Sequence, residues 1–170
     1  HGADDTHEWL EKQSNPKDKR QDIAVAICLK NAYKNPLHEQ QLAEYLRKHY
    51  QYVSVSTELS AQIKFLNRAE TTVVNAYLSP IIDNYLSNIA AKLPPNSLQV
   101  MTSAGNLVSV ANFQPKDSLF SGPAGGVVGA SVIGKQLGIE QLITFDMGGT
   151  STDVARYDGD FDFQFEQRIG

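Results

Sequence analysis

The segment Gln141-LITFDMGGTSTDVAR-Tyr157 predicts two β-strands joined by a glycine turn. An apolar run ends at Asp146, two glycines reverse the chain, and a second β-type run leaves through Val154. Glycines let backbone N–H groups converge on one concavity, and hydroxyl side chains add further donors. A turn of this kind suits a phosphate group. Its donors would be Gly148, Gly149, Thr150, Ser151 and Thr152.

Two carboxylates flank this turn. Asp146 precedes the glycines and Asp153 follows the hydroxyl residues. Both would repel a bare phosphate, so the pattern makes chemical sense if a divalent cation lies between carboxylate and phosphate oxygens. The segment therefore predicts a site for a nucleotide with Mg²⁺. The alternative is an ordinary β-hairpin, because a Gly-Gly pair between two strands needs no ligand.

A second glycine-rich segment, SGPAGGVVGA, covers residues 121–130. It predicts a helix that is capped by Ser121, runs to Leu137 and ends at Gly138. Each glycine inside a helix costs up to about 1 kcal/mol relative to alanine. Their use here indicates close approach, either of a neighbouring backbone or of an anion at the helix N-terminus. In the second alternative the binding residues would be Gly122, Gly125 and Gly126.

The N-terminal half predicts a strand, a helix and a second strand. Asp22–Leu29 is typical of a buried strand, Asn35-Pro36 of a capped helix start, and Tyr52–Ser56 of a short strand. This order implies a right-handed crossover between parallel strands. His38 and Glu39 fall in the first turn of the helix, where we expect a solvated pair that favours the helix dipole.

A long helix is predicted between Leu66 and Leu93. Pro80 either kinks it or begins a second helix that Ser79 caps. Apolar residues recur every four positions, and we expect this stripe, with its tyrosines, to lie in the core. The stripe consists of Val73, Tyr77, Ile81, Tyr85 and Ile89.

Another strand is predicted at Leu98–Thr102, followed by a turn at residues 103–106. Near the end of the chain, Phe161, Phe163 and Phe165 alternate with polar residues, as in a strand with one buried face. With the two strands around the glycine turn, this strand would complete an antiparallel meander of three strands.

Composition excludes several classes of protein. The 170 residues are 41% hydrophobic and 20% charged, which permits an ordinary hydrophobic core. A net charge of −4 argues against nucleic acid as a partner. No apolar run reaches the roughly 20 residues of a membrane span, so we expect no membrane association. Cys28 is the only cysteine, which excludes an internal disulfide and favours a cytoplasmic protein.

Several segments together resemble the hydantoinase A and 5-oxoprolinase family. The most specific are Asp146–Asp153 and Ser121–Gly126; Asn35-Pro36 and the long helix, including Arg68, also match. The resemblance runs from about Asp22 to the end of the chain. It departs from the family at residues 103–106, Ser-Ala-Gly-Asn, where a Gly-Gly pair is usual.

The resemblance implies an α/β fold of the actin-like (ribonuclease H-like) ATPase type, with a mixed sheet and flanking helices. Residues 1–102 would end the first lobe, residues 103–139 would form the glycine-rich crossing with its helix, and residues 140–170 would open the second lobe. The first phosphate hairpin and the adenosine-binding segment would lie outside this chain. We therefore expect no activity from the chain by itself.

The resemblance also implies an ATP-dependent hydrolase of small cyclic amides. ATP would phosphorylate the ring carbonyl oxygen, after which water opens the ring. Asp146 would hold Mg²⁺ or orient the nucleophile, and Asp153 would support the metal shell. The family implies a hydantoinase B-type partner subunit or domain. The alternatives are an ATP-dependent acetone or acetophenone carboxylase-type subunit and a non-enzymatic nucleotide-sensing module.

Overall fold

The computed structural model describes residues 20–60, 62–149 and 152–160. The chain divides into two compact units, one up to Ser87 and one from Asn88. The predicted α/β class is confirmed. The elements are β1 (Arg20–Ile27), α1 (Leu37–Leu46), β2 (Tyr50–Val55), α2 (Ser56–Leu59), α3 (Phe65–Ala90), β3 (Gln99–Met101), β4 (Leu107–Ser109), two 3₁₀ turns (Val110–Asn112 and Pro115–Ser118), α4 (Ser121–Gln136), β5 (Leu142–Met147) and β6 (Thr152–Tyr157).

The N-terminal unit is built on two parallel strands. β1 pairs with β2, with Ile27 opposite Val55, and α1 connects them. The helix packs Ala43 and Leu46 against these strands to form the core of the unit. The predicted order of strand, helix and parallel strand is confirmed.

The start of α1 is capped as the sequence predicts. The backbone N–H of Leu37 donates a hydrogen bond of 3.1 Å to Oδ1 of Asn35, and Pro36 lies between them. The side-chain oxygen thus satisfies one of the donors that a helix start leaves without a partner.

Glu39 contradicts the expectation of a solvated side chain, because it is fully buried. Its Oε1 accepts 2.7 Å hydrogen bonds from the Leu29 backbone N–H and the Ser56 hydroxyl. Its Oε2 accepts from the backbone N–H and the hydroxyl of Thr57, at 3.1 and 2.9 Å. Four donors replace the water that a buried carboxylate loses. His38, the neighbouring residue, is exposed as predicted.

Arg68, at the start of α3, is also fully buried. Its Nε donates to the hydroxyl of Ser56 at 2.9 Å, and a terminal nitrogen donates to the carbonyl of Leu29 at 2.6 Å. Ser56 therefore bridges the guanidinium and the carboxylate of Glu39. This network ties α3 to the residues that follow β1 and β2.

The long helix α3 is continuous through Pro80. The Ser79 hydroxyl donates to the carbonyl of Asn75, one turn earlier, at 2.7 Å. Ser79 therefore does not cap a second helix, and the chain does not break into two helices here.

The apolar stripe of α3 is not in the core, so that prediction is wrong. Tyr77 is 73% exposed and Tyr85 is 62% exposed, and Val73 and Ile81 are exposed too. The helix instead buries a mainly polar face, and hydrogen bonds join this face to β2 and to residues that follow β1 and β2. Its buried residues are Arg68, Thr72, Asn75, Ala76 and Leu86, and the Asn75 amide donates to the Ser54 hydroxyl at 2.9 Å.

The C-terminal unit places α4 beside two antiparallel hairpins, β3–β4 and β5–β6. The helix ends at Gln136, and Gly138, just after the Leu137 cap, has a φ of +70°. The Ile139 N–H donates to the carbonyl of Gly134 and the Gly138 N–H donates to that of Lys135. This pair of bonds is the Schellman motif, so the predicted glycine stop is confirmed.

The sheets differ from the expected mixed sheet. The described residues form three two-stranded sheets, one parallel and two antiparallel. The third strand predicted for the meander, at residues 161–165, lies outside the described residues, as do residues 1–19, which precede β1. Within the described ranges, no helix is both long and apolar enough to cross a membrane.

Candidate functional site

The two predicted carboxylates lie directly opposite each other across the β5–β6 hairpin. Asp146 pairs with Asp153 in the strand register. Residues in such pairs point to the same face, with Cβ atoms about 5 Å apart. Both residues are exposed, and no ion pair to either carboxylate occurs in the part of the chain that the structure describes. Two unpaired carboxylates at this separation repel each other unless a cation is present.

The turn between the carboxylates is only partly described. Gly148 and Gly149 are exposed, and a Cβ on Gly149 would meet nothing within 4 Å. Thr150 and Ser151 lie outside the described residues. Thr152 belongs to β6 opposite Met147. Because strand residues alternate between faces, Thr152 is on the other face of the hairpin from Asp153.

The carboxylates share a face with the residues that pack on α4. Leu142 and Tyr157 are also opposite each other. They lie four positions along the hairpin from the two aspartates and on the same face. Leu142 approaches Gly134, and the Lys135 ammonium lies 5.9 Å from the centre of the Tyr157 ring. β5 follows the Schellman turn and packs back along the helix.

The lengths of the two elements bring the carboxylates near the first half of α4. Asp146 is four residues beyond Leu142, about 13 Å along the strand. A helix covers that distance in about nine residues. Counted back from Gly134, this position is close to Gly125 and Gly126.

The glycines of α4 divide into two kinds. A Cβ on Gly134 would lie 2.7 Å from Leu142 Cδ2 and 3.1 Å from the Ile139 carbonyl oxygen, so this glycine serves close packing. A Cβ on Gly122 or Gly126 would meet nothing within 4 Å, while one on Gly125 would be 3.8 Å from Met101. The closely packed glycine thus lies outside residues 121–130, and anion binding by Gly122, Gly125 and Gly126 stays a prediction.

The start of α4 has no side-chain cap, contrary to the expectation for Ser121. Phe120 is the residue that precedes the helix, and the Ser121 hydroxyl donates to the carbonyl of Ser118 at 3.1 Å. No side-chain hydroxyl of α4 therefore accepts a hydrogen bond from the N–H groups at the start of the helix. N–H groups in this position favour an anion.

A cavity of about 720 Å³ in the C-terminal unit joins these parts. Both carboxylates line it, as do Ala124 and Gly126 of α4. The predicted residues Gly122, Gly125, Gly148, Gly149 and Thr152 are not among its lining residues. The structure thus brings together the carboxylate pair and one glycine of the second segment.

Two parts of the structure were missed from the sequence. The first is the buried network of Glu39, Ser56 and Arg68, whose members are far apart in the chain and carry no local signal of burial. Burial raises the pKa of Glu39, but the hydrogen bonds from Leu29, Ser56 and Thr57 outweigh it and leave that pKa below its ordinary value. The second is Ser103, which lines the same cavity as the two carboxylates.

The described residues contain no group of three or more His, Cys, Asp or Glu side chains placed to hold a metal ion. Any cation at the hairpin would therefore depend on two carboxylates together with oxygens from water or from a ligand.

A profile described as hydantoinase/oxoprolinase matches residues 68–170. The chain belongs to this hydantoinase/oxoprolinase family. Among curated relatives, a 5-oxoprolinase of Saccharomyces cerevisiae is 44% identical over 150 residues, which are 84% of this chain and 12% of that protein. The caprolactamase subunit alpha of Pseudomonas jessenii is 36% identical over 139 residues, 77% of this chain and 20% of that subunit.

Two solved structures resemble this member of the family. An ATP-dependent caprolactamase from P. jessenii has a TM-score of 0.68 and 28% identity, over 90% of this chain and 22% of that one. A nucleotide-free acetone carboxylase has a TM-score of 0.64 and 27% identity, over 77% of this chain and 20% of that one. The chain spans about 12% of the length of the 5-oxoprolinases that it matches.

Proposed function

We propose that the whole protein is an ATP-dependent hydrolase of small cyclic amides and that the β5–β6 hairpin binds the phosphates of ATP. The observation that carries this proposal is the pair Asp146 and Asp153, which lies on one face of the hairpin and lines one cavity with the first half of α4. Relatives named 5-oxoprolinase and caprolactamase support the reaction class.

The wider fold in this proposal is an actin-like ATPase with two lobes. Residues 1–102 end the first lobe, residues 103–139 form the crossing, and residues 140–170 open the second. The family resemblance carried by Ser121–Gly126 and Asp146–Asp153 is the basis of this assignment.

The residues at the hairpin fit a magnesium ion. Mg²⁺ is commonly held by one or two carboxylates, with water and phosphate oxygens completing its shell. Asp146 and Asp153 supply two such carboxylates and have no cationic partner among the described side chains. When bound, the ion neutralises charge on the phosphate oxygens.

In this assignment, Asp146 holds the ion through water or orients the nucleophile, and Asp153 supports the metal shell. The hairpin turn supplies donors to the phosphates: Gly148 and Gly149 by their backbone, and Thr150 and Ser151 also by their hydroxyls. The hydroxyl of Thr152 is not one of these donors, because Thr152 lies on the other face of the hairpin from Asp153. Gly122, Gly125 and Gly126 leave room for an anion near the start of α4. Donors and charges that are already in place favour phosphoryl transfer because nothing has to reorganise during the reaction.

The proposed reaction has three steps. The amide oxygen of the ring attacks the γ-phosphorus, and ADP leaves. Water then adds to the carbonyl carbon and the C–N bond of the ring breaks, which leaves an acyl phosphate and a free amine. A second water hydrolyses the acyl phosphate to a carboxylate and inorganic phosphate. The products are ADP, phosphate and an open-chain amino acid. A partner subunit or domain of the hydantoinase B type would take part in hydrolysis; the name caprolactamase subunit alpha supports such an arrangement.

A second candidate is an ATP-dependent carboxylase subunit. The likeness to acetone carboxylase favours it, at a similar TM-score to that of the caprolactamase. Both reactions activate an oxygen atom by phosphorylation, so the hairpin would serve either one.

The test is ATP hydrolysis by the whole protein, with its partner subunit, in the presence of 5-oxoproline, caprolactam, hydantoins, or acetone with bicarbonate. We expect stimulation by a cyclic amide, and Asp146→Asn should reduce it at least a hundredfold, since a group that stabilises the transition state is lost. Glu140→Gln is the control, because Glu140 is exposed and is not among the residues that line the cavity.

Each alternative has its own outcome. Stimulation by acetone with bicarbonate, and by no cyclic amide, would favour the carboxylase. Nucleotide binding without turnover would favour a sensing module. Near-normal turnover of the Asp146→Asn variant would overturn the role of the hairpin.

A further inference from the structure

The turn between β3 and β4 forms a further wall of the cavity. Ser103, Ala104 and Gly105 line it together with the two carboxylates. The turn is closed by hydrogen bonds from the Thr102 N–H to the Asn106 carbonyl at 2.8 Å and from the Gly105 N–H to the Thr102 carbonyl at 2.9 Å. The wall is therefore a compact, internally bonded turn.

Ser103 connects this wall to the residues that lead into α4. Its backbone N–H and its hydroxyl both donate to the carbonyl of Asp117, at 2.8 and 2.7 Å. The same hydroxyl accepts a hydrogen bond of 3.1 Å from the Phe120 N–H. Phe120 directly precedes the helix. One side chain from the turn thus holds both ends of the short segment 117–120.

The β3–β4 turn also contacts α4 beyond the first helical turn. Gly105 has a φ of +78°, and a Cβ there would lie 3.0 Å from Val128 Cγ2. A side chain at this position would be strained and would push against α4. The distance between the turn and the helix is therefore set at two points, Ser103 and Gly105.

We propose that Ser103 is a positioning residue for nucleotide binding. It holds the start of α4 at the cavity without touching the hairpin carboxylates, and this role rests on the proposed function of the hairpin. Without the hydroxyl, the Phe120 N–H loses its acceptor and the segment before the helix can shift. The ATP affinity falls, whereas the reacting groups at the hairpin stay in place.

The experiment compares KM for ATP and kcat of the whole protein for Ser103→Ala, Ser103→Thr and a control. The alanine variant is expected to raise KM about fivefold, as for one lost hydrogen bond, with kcat within about twofold of wild type. Threonine keeps the hydroxyl and is expected to restore KM. The matched control is Ser97→Ala, because the Ser97 hydroxyl donates to the Pro94 carbonyl at 2.7 Å on the exposed surface, away from the cavity.

Ser103→Cys keeps the test informative if the alanine variant does not fold. A thiol is a weaker donor and acceptor than a hydroxyl, so an intermediate KM is expected. The melting temperature of each variant separates a loss of folded protein from a loss of affinity.

The outcomes separate this inference from the proposed function. An active wild type whose alanine or cysteine variant keeps a normal KM would overturn the role of Ser103 alone. The same holds if threonine does not restore KM. A wild type that neither binds nor hydrolyses ATP would overturn the proposed function and the role of Ser103 with it.

Discussion

The hydroxyl of Ser56 donates a hydrogen bond of 2.7 Å to the carboxylate of Glu39, and both residues are fully buried. The same hydroxyl accepts from Arg68, so a single oxygen lies between a buried anion and a buried cation. Such an arrangement is sensitive, because removing any member takes a hydrogen-bond partner away from a buried charged group.

Replacing Glu39 should destabilise the N-terminal unit. In Glu39→Gln, an NH2 group replaces one of the two carboxylate oxygens. It then faces at least one of the four hydrogen-bond donors that surround the carboxylate in the wild type. We expect a loss of about 3 kcal/mol in the free energy of unfolding, measured by urea titration. Glu44→Gln changes the same chemistry on the exposed side of α1 and should cost less than about 0.5 kcal/mol. Equal losses in the two variants would contradict the network.

The stability of the chain should depend on pH through Glu39. Its pKa in the folded protein lies below the ordinary value, which is about 4.3 for an unfolded chain. The ionised carboxylate therefore stabilises the fold above the unfolded pKa, and this contribution is lost as the pH falls through the folded pKa. Urea midpoints measured from pH 7 down to pH 3 should fall more steeply for wild type than for Glu39→Gln. Parallel curves would show that Glu39 does not contribute.

Two glycines of α4 should respond in opposite directions to alanine. Gly134→Ala places a methyl group against Leu142 and the Ile139 carbonyl, and we expect a loss of about 1 to 3 kcal/mol in the free energy of unfolding. A methyl group on Gly129 meets nothing within 4 Å, so Gly129→Ala should stabilise the helix by up to about 1 kcal/mol. Urea titration of both variants measures these changes in the free energy of unfolding. Destabilisation by both substitutions would contradict the observed packing.

Substitution of Tyr77 on α3 tests whether the apolar stripe of this helix is exposed to solvent. Tyr77 is exposed in this chain, so Tyr77→Ser should change the free energy of unfolding by less than about 0.5 kcal/mol. Leu86 is buried on the same helix, and Leu86→Ala should cost about 2 kcal/mol or more. A large loss for Tyr77→Ser in urea titration would mean that the stripe is packed after all.

Local patterns were sufficient for much of the fold. Asn35-Pro36 predicted the start of α1, and Gly138 predicted the end of α4, because caps depend on residues next to the helix terminus. The parallel pair of strands followed from the order of strand, helix and strand. Periodicity failed on α3, since it shows that Tyr77 and Tyr85 share a face but not which face meets the core.

The amino-acid sequence alone was enough to indicate the hairpin, its two aspartates and the family resemblance, because these features are contiguous in the chain. The opposition of Asp146 and Asp153, the cavity beside α4, and the contacts of Ser103 emerged only from the folded chain. They depend on strand register and on packing between segments that are distant in sequence. Burial of Glu39 has the same origin: its four donors come from the residues after β1 and β2, which approach α1 only when the strands pair.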